Sequence, residues 1–212
     1  MTHQFAKLAF TDSVKAMQER YRTRSQNERL ETLAGPNDAL GPDEAAFIAE
    51  RDSFYLATVS ETGWPYVQHR GGPKGFLKVI DPHTLAFGDF RGNLQYVSVG
   101  NASRNDRVAL VLMDYAQRLR LKVLGRMRAF DIADAPPELV FDVELPDYRA
   151  RVERVITIAV EAFDWNCPQH ITPRFTEAEI REATQPLNAR IAELEAELTA
   201  LRGDAPYGPV NP

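Results

Sequence analysis

Between Ser53 and Trp165 the chain supplies one strand-like run after another, joined by turn signals and with few helices between them. FYLATV (54–59) is apolar at nearly every position, as a strand covered on both faces requires. SETGWP then offers a hairpin turn and YVQHR a partner strand. GFLKVID and TLAFGDF flank the turn DPHT, and VALVLMD reads as a second doubly covered strand. RLRLKVLGRMRAF has the clearest alternation, with Arg118, Arg120, Lys122, Arg126 and Arg128 on one face and Leu119, Leu121, Val123 and Met127 on the other. RVERVITIAVEAFDW ends the series. Strands this closely spaced pair as hairpins, so an antiparallel sheet or barrel is expected in place of a doubly wound parallel fold.

Helical patterns flank this region. Residues 12–30 read as a polar amphipathic helix capped by Asp12 or Ser13. The chain breaks at Gly35-Pro36 and restarts at Gly41-Pro42, with Asp43 as the cap of a short helix through Arg51. LQYVSVGNASRNDR fits a short helix that stops at Gly100-Asn101. TEAEIREA opens with a Thr176/Glu179 capping box. After Pro186, Leu187, Ile191, Leu194, Leu198 and Leu201 recur at alternating spacings of four and three. This is a coiled-coil-like stripe, too short to stand alone, and it is expected to dock on the barrel or on a second subunit. The division expected is therefore a helical segment (1–52) packing on a barrel (53–175), then a helix with a loose tail (176–212).

Composition removes several function classes. The net charge is −5, which disfavours general attraction to nucleic acid or an anionic membrane surface. The longest aliphatic run, VALVLM, is far short of the roughly 20 residues of a membrane-spanning helix. MTHQFAKLAF has no basic segment followed by an apolar stretch, so no secretory signal is read there and a reducing, cytoplasmic setting is expected. Cys167 is the single cysteine, which rules out an intramolecular disulfide and a thiolate cluster. It reads either as a packed small hydrophobe or as a nucleophile with His170 nearby. The four histidines show no tight ligand spacing, so no metal is expected. Walker, Rossmann and G-x-S-x-G signatures are missing too, which leaves the hard chemistry of any enzyme here to a bound cofactor.

One stretch carries a local anomaly. QHRGGPKGFLKVIDPHTLAFGDFRGN (68–93) packs five glycines around Arg70, Lys74, Lys78 and Arg91 in an acidic chain. Freed backbone N–H groups and cationic side chains together suit a phosphate. Taken alone, the same residues suit a glycine-rich hairpin whose cations face water.

FYLATVSETGWPYVQHRGGPKGFLKVIDPHTLAFGDFRGNLQYVSVGN followed by RLRLKVLGRMRA resembles the pyridoxamine 5'-phosphate oxidase-related flavoproteins, in particular the branch with R-G-G-P-x-G-F, D-x-x-T-L-A-F and R-G-N. The resemblance covers residues 10–175 and implies a mainly β fold with peripheral helices: a six-stranded antiparallel split β-barrel, homodimeric, with FMN between subunits. Carried onto this chain, it makes Arg70, Lys78, Asp89, Arg91, Asn93 and Gln95 the candidate cofactor residues, with Lys74 beside them. Arg120 would approach the flavin from the basic strand face, a position that a solvated sheet face explains as well. Trp165 and Arg174 would close the site from the other subunit, and His170 would pair with a phosphate. Trp165 alternatively plugs the barrel end, and His170 caps a loop. The chain lacks the R-x-H-type substrate signature of the oxidase, so oxidation of pyridoxamine phosphate itself is not implied. The function implied is an FMN-dependent oxidoreductase passing hydride through flavin N5, with NADH, NADPH or a small organic molecule as donor. The alternative is a non-enzymatic flavin-binding, storage or sensor protein. No catalytic side chain is named.

Overall fold

The computed structural model describes residues 3–33, 35–165 and 169–202. Cys167 and the tail after Arg202 lie outside the described residues. The chain divides into two compact units, Met1–Ile171 and Thr172–Pro212.

Four helices open the first unit: α1 (Gln4–Ala9), α2 (Asp12–Arg20), α3 (Arg24–Leu33) and α4 (Pro42–Ala49). The helix expected over 12–30 is two helices. Arg22 adopts a left-handed conformation (φ 58°) and the Thr23 N–H closes back on the Gln18 carbonyl at 2.8 Å, which ends α2. Arg24 then clamps the new helix through Glu31, at 2.7 and 2.9 Å. The cap of α4 is Gly41, whose N–H donates to the Glu44 carboxylate at 2.9 Å; Asp43 sits in the first turn instead.

The strands and helices that follow are β1 (Ser53–Val59), β2 (Pro65–Gly71), β3 (Lys78–Asp81), β4 (Thr84–Phe90), α5 (Val97–Arg104), β5 (Arg107–Asp114), β6 (Leu119–Asp131), α6 (Pro137–Val143) and β7 (Val152–Trp165). They form one antiparallel sheet in the order β2-β1-β5-β6-β7-β4-β3. All seven strand-like runs of the sequence are strands; this is one strand more than the six of the resemblance, and the four-residue β3 pairs with β4 at the sheet's edge.

The sheet curls into a split barrel. Phe54 on β1 meets Phe87 on β4 edge-to-face with ring centroids 5.3 Å apart. Those strands are second and sixth in the order, and a flat sheet would hold them about 19 Å apart. The core inside the curl takes Phe54 and Leu56 from β1, Leu85 and Phe87 from β4, Leu110 and Leu112 from β5, and Ile156 and Ile158 from β7. From β6 it takes Leu121, Val123 and Met127, while the expected Leu119 is 36% exposed at the strand's start. The register shifts at Gly125, where an added Cβ would lie 2.5 Å from the Ala159 carbonyl oxygen. Only glycine lets β6 and β7 approach that closely.

Two further helices depart from expectation. α5 runs through Gly100 to Arg104, because the Gly100 N–H keeps its helical bond to Tyr96 and nothing there stops the turn. α6, led by Pro136-Pro137, covers Ala86 and Val155 on the outside of the sheet. In the second unit, α7 (Glu177–Arg202) opens with the Thr176/Glu179 capping box, 2.7 and 3.2 Å, and continues through Pro186 as one helix with no buried residue.

Candidate functional site

Strand alternation decides which side chains reach the barrel's inner face. On β4, Leu85 and Phe87 point inward, and Asp89 has the same parity at the strand's end. On β7, Arg154 shares the parity of Ile156 and Ile158; on β2, Gln68 and Arg70 lie opposite the inward Leu56 and Phe54. One end of the barrel therefore collects polar groups from three strands.

Asp89 organises them. It is 4% exposed and accepts from Arg70 Nη1 at 2.6 Å and from Arg154 Nε at 2.9 Å. The first of these bonds spans the seam between β2 and β4, so it also ties the barrel shut. Arg154 donates in turn to Glu153 at 3.1 Å and lies over the Tyr96 ring, 4.7 Å from its centroid. Burial opposes the charge of Arg154; the hydrogen bond and charge of Asp89, followed by those of Glu153, outweigh it and hold the guanidinium above its ordinary pKa. Arg70 Nε is buried with no hydrogen-bond partner among the described residues. A buried guanidinium N–H left unsatisfied is costly unless a ligand takes it.

The segment between β4 and α5 completes a shallow groove of about 50 Å³. Its lining includes Gln68, Arg70, Asp89, Asn93, Ser98 and Arg154. Leu94 and Tyr96 both have positive φ, 62° and 54°, a conformation that costs a non-glycine residue roughly 1–2 kcal/mol. That turn aims the start of α5 at the groove. Tyr96 gives the helix no side-chain cap, which leaves the first-turn N–H groups without one, and Val97, Ser98 and Val99 of that turn line the groove. The Ser98 hydroxyl, on a residue only 1% exposed, donates to Gln68 Oε1 at 3.2 Å. An uncapped helix N-terminus beside a guanidinium with a spare donor is chemistry suited to an oxyanion.

Of the residues singled out in the sequence, Arg70, Asp89 and Asn93 meet in this groove. Gln95 is tied to it through Asn93, whose Oδ1 accepts from the Gln95 N–H at 3.1 Å. Arg91 stands at the rim, 3.6 Å from Glu153. The others lie elsewhere. Lys74 makes an exposed pair with Glu50 at 3.2 Å, and Lys78 sits opposite Ala86, on the outer face of the sheet. Arg120 also faces outward, opposite Met113 on β5. Trp165 donates to Glu44 at 2.7 Å and packs edge-on against Phe47, so it anchors α4 at the far end of β7, about 35 Å along the strand from Arg154. His170 is exposed with φ 64°, and Arg174 belongs to the second unit. The sequence reading missed Arg154, Glu153, Gln68, Tyr96 and Ser98. Arg154 had a signal: a charge on the core-facing parity of RVERVITIAV needs a buried partner. Among the described residues no group of three or more His, Cys, Asp or Glu side chains is placed to hold a metal ion, and no helix is long and apolar enough to cross a membrane.

Solved structures of similar fold include HupZ of Group A Streptococcus, at 14% identity over 64% of this chain and 99% of that one, with a TM-score of 0.49. An FMN-binding protein of Syntrophomonas wolfei is 12% identical over 73% of this chain and 97% of its own, with a TM-score of 0.43. General stress protein 26 of Bacillus anthracis is 15% identical over 63% and 95%, with a TM-score of 0.39. No curated protein sequence matches the chain significantly. The pyridoxamine 5'-phosphate oxidase family profile matches residues 40–159. Those residues run from the last turn before α4 into β7 and include Arg70, Asp89 and Arg154. The match takes in more than half of the 212 residues, and the chain belongs to the pyridoxamine 5'-phosphate oxidase family.

Proposed function

We propose that this protein is a cytoplasmic, homodimeric FMN-dependent oxidoreductase whose groove holds the phosphate end of the cofactor. The observation that carries the proposal is the buried, unpartnered Nε of Arg70 beside the uncapped start of α5. The residues fit the group. Arg70 Nε and the first-turn N–H groups of α5 would take phosphate oxygens, while Asp89 holds Arg70 in position and Arg154 stiffens the cluster. When bound, FMN supplies hydride-transfer chemistry; the protein's part is to fix the phosphate, orient the ring system and exclude water around it.

A pocket of about 50 Å³ accepts a phosphate, whereas pockets that bury most of a ligand run to roughly 300–1,000 Å³. A second copy of the chain is the cover that completes the site in this reading. The outer face of β2-β1-β5 suits the contact, since it presents Val67, Tyr55, Ala57, Ala109, Val111 and Met113, none of them buried. Arg174, which belongs to the second unit, would then serve the partner's flavin, while Trp165 stays with Glu44 and Phe47 of its own chain.

The test begins with the absorption spectrum of the freshly purified protein and identification of any released cofactor. Yellow protein releasing FMN, and not FAD, is expected, because one compact cationic cluster fits one terminal phosphate and no dinucleotide fingerprint is present. Colourless protein that also fails to bind added FMN overturns the reading. Anaerobic mixing with NADH or NADPH then separates enzyme from carrier: rapid bleaching is expected, and a flavin that no donor reduces would mark a binding or storage protein.

A further inference from the structure

The apolar stripe of α7 has a register that specifies its partner. Ile180, Leu187, Leu194 and Leu201 fall at heptad d positions, and Thr184, Ile191 and Leu198 at a. The five apolar side chains after Pro186 are uncovered, from 41% exposed at Leu194 to 79% at Leu201. The positions flanking the stripe are charged in a definite pattern. Arg190 and Glu197 occupy g, and Glu195 and Arg202 occupy e.

We propose that α7 pairs with α7 of a second copy of this chain as a short parallel two-stranded coiled coil over residues 187–202. In a parallel pair each g residue meets the e residue five positions on in the other helix. Arg190 then faces Glu195 of the second copy and Glu197 faces Arg202, an attraction at both positions and, by symmetry, on both sides. In the antiparallel register that keeps the apolar layers matched, Arg190 still meets Glu197, but Arg181 and Arg202 face each other with like charge. Isoleucine at a and leucine at d, the combination at Ile191 and Leu194, also favours two parallel strands. Within one chain Arg190 turns to its own helix instead, with Glu193 at 2.9 Å and Glu197 at 3.9 Å. Such exposed pairs contribute little to affinity and mainly choose orientation. Proline at 186 falls at heptad c, on the solvent side, so it does not enter the seam.

About two heptads are marginal as free peptides. The pairing therefore draws local concentration from the barrel dimer proposed above, which would place the second helix at millimolar effective concentration. In that one respect the inference rests on the functional reading.

Cysteine cross-linking of the full-length chain tests it, with Cys167→Ala removing the one native thiol. In a parallel coil each d residue faces its own copy, so Leu194→Cys should oxidise to a covalent dimer several-fold faster than Ala196→Cys, which lies at f. Adding Arg190→Glu should slow the reaction, and combining it with Glu195→Arg should restore the rate, a result that loss of folding cannot produce. Cross-linking only in a mixture of Ile191→Cys and Leu194→Cys chains would show an antiparallel pair and overturn the proposal. Sedimentation of the same samples separates it from the functional reading. A dimer in which Leu194→Cys reacts no faster than Ala196→Cys overturns the coiled coil alone, and a monomer overturns both.

Discussion

Asp89→Asn should destabilise the protein while making it bind FMN more tightly, two effects that a merely structural carboxylate would not combine. Asp89 is 4% exposed and holds Arg70 at 2.6 Å and Arg154 at 2.9 Å. Asparagine keeps the shape and one acceptor oxygen but removes the charge both guanidiniums face. Removing one partner of a buried ion pair costs about 3–5 kcal/mol; the lower end applies here because Arg154 retains Glu153. About 3 kcal/mol corresponds to a melting temperature lower by roughly 6–12 °C for a unit of this size. In the intact groove and at its rim Arg70, Arg91 and Arg154 face Asp89 and Glu153, and the variant raises the positive excess by one charge. For a phosphate bound beside Arg70, one unit of charge removed at an assumed separation of about 5 Å is worth on the order of 1 kcal/mol through water-like screening, roughly fivefold in affinity. Thermal unfolding across an FMN titration reads both effects. The variant should melt lower without FMN and rise by more than the native protein at equal FMN. An unchanged melting temperature would refute the buried pairing of Asp89 with Arg70 and Arg154, and a variant that folds but binds FMN no more tightly than the native protein would refute an anion held beside them.

Arg70→Ala should weaken FMN binding by about 2–3 kcal/mol, roughly 30- to 140-fold, with riboflavin affinity nearly unchanged; an equal loss for both ligands, measured by flavin fluorescence, would show that Arg70 acts through folding. Random exchange between Arg70→Ala and Arg174→Ala chains should restore binding to about a quarter of all sites, as two-fold symmetry requires when each site draws one arginine from each copy; no recovery after confirmed exchange would place both in one chain's site. Gly125→Ala should cost about 1–3 kcal/mol in denaturant unfolding, since the added methyl would sit 2.5 Å from the Ala159 carbonyl oxygen; native-like stability would mean that β6 and β7 shift apart freely.

What the sequence could disclose is set by how far apart the interacting residues lie. The strands were legible because hydrophobic pattern and turn chemistry are local, as in RLRLKVLGRMRAF and the SETGWP turn. The Thr176/Glu179 box, three residues apart, was legible for the same reason. The break between α2 and α3 was not, because it depends on a left-handed Arg22, a residue with no strong preference for that conformation. At the site, Arg70 stood out in the glycine-rich stretch, and Asp89 came in only through the family resemblance. Arg154, 65 residues from its partner, joins them only through the β4–β7 register. Lys74 and Lys78 were drawn in by proximity along the chain; a surface loop and the pleat of β3 send them elsewhere.

The central claim is that Arg70 and the start of α5 receive a phosphate, and nitrogen-15 NMR of the labelled protein tests it at those atoms. Titration with FMN should shift the Arg70 Nε–H resonance strongly, as that buried donor gains its first partner, together with the amides of Val97 and Ser98. Riboflavin should leave all three close to their starting positions. Saturation with FMN that does not move Arg70 Nε–H, or riboflavin shifts equal to those of FMN, would contradict the account.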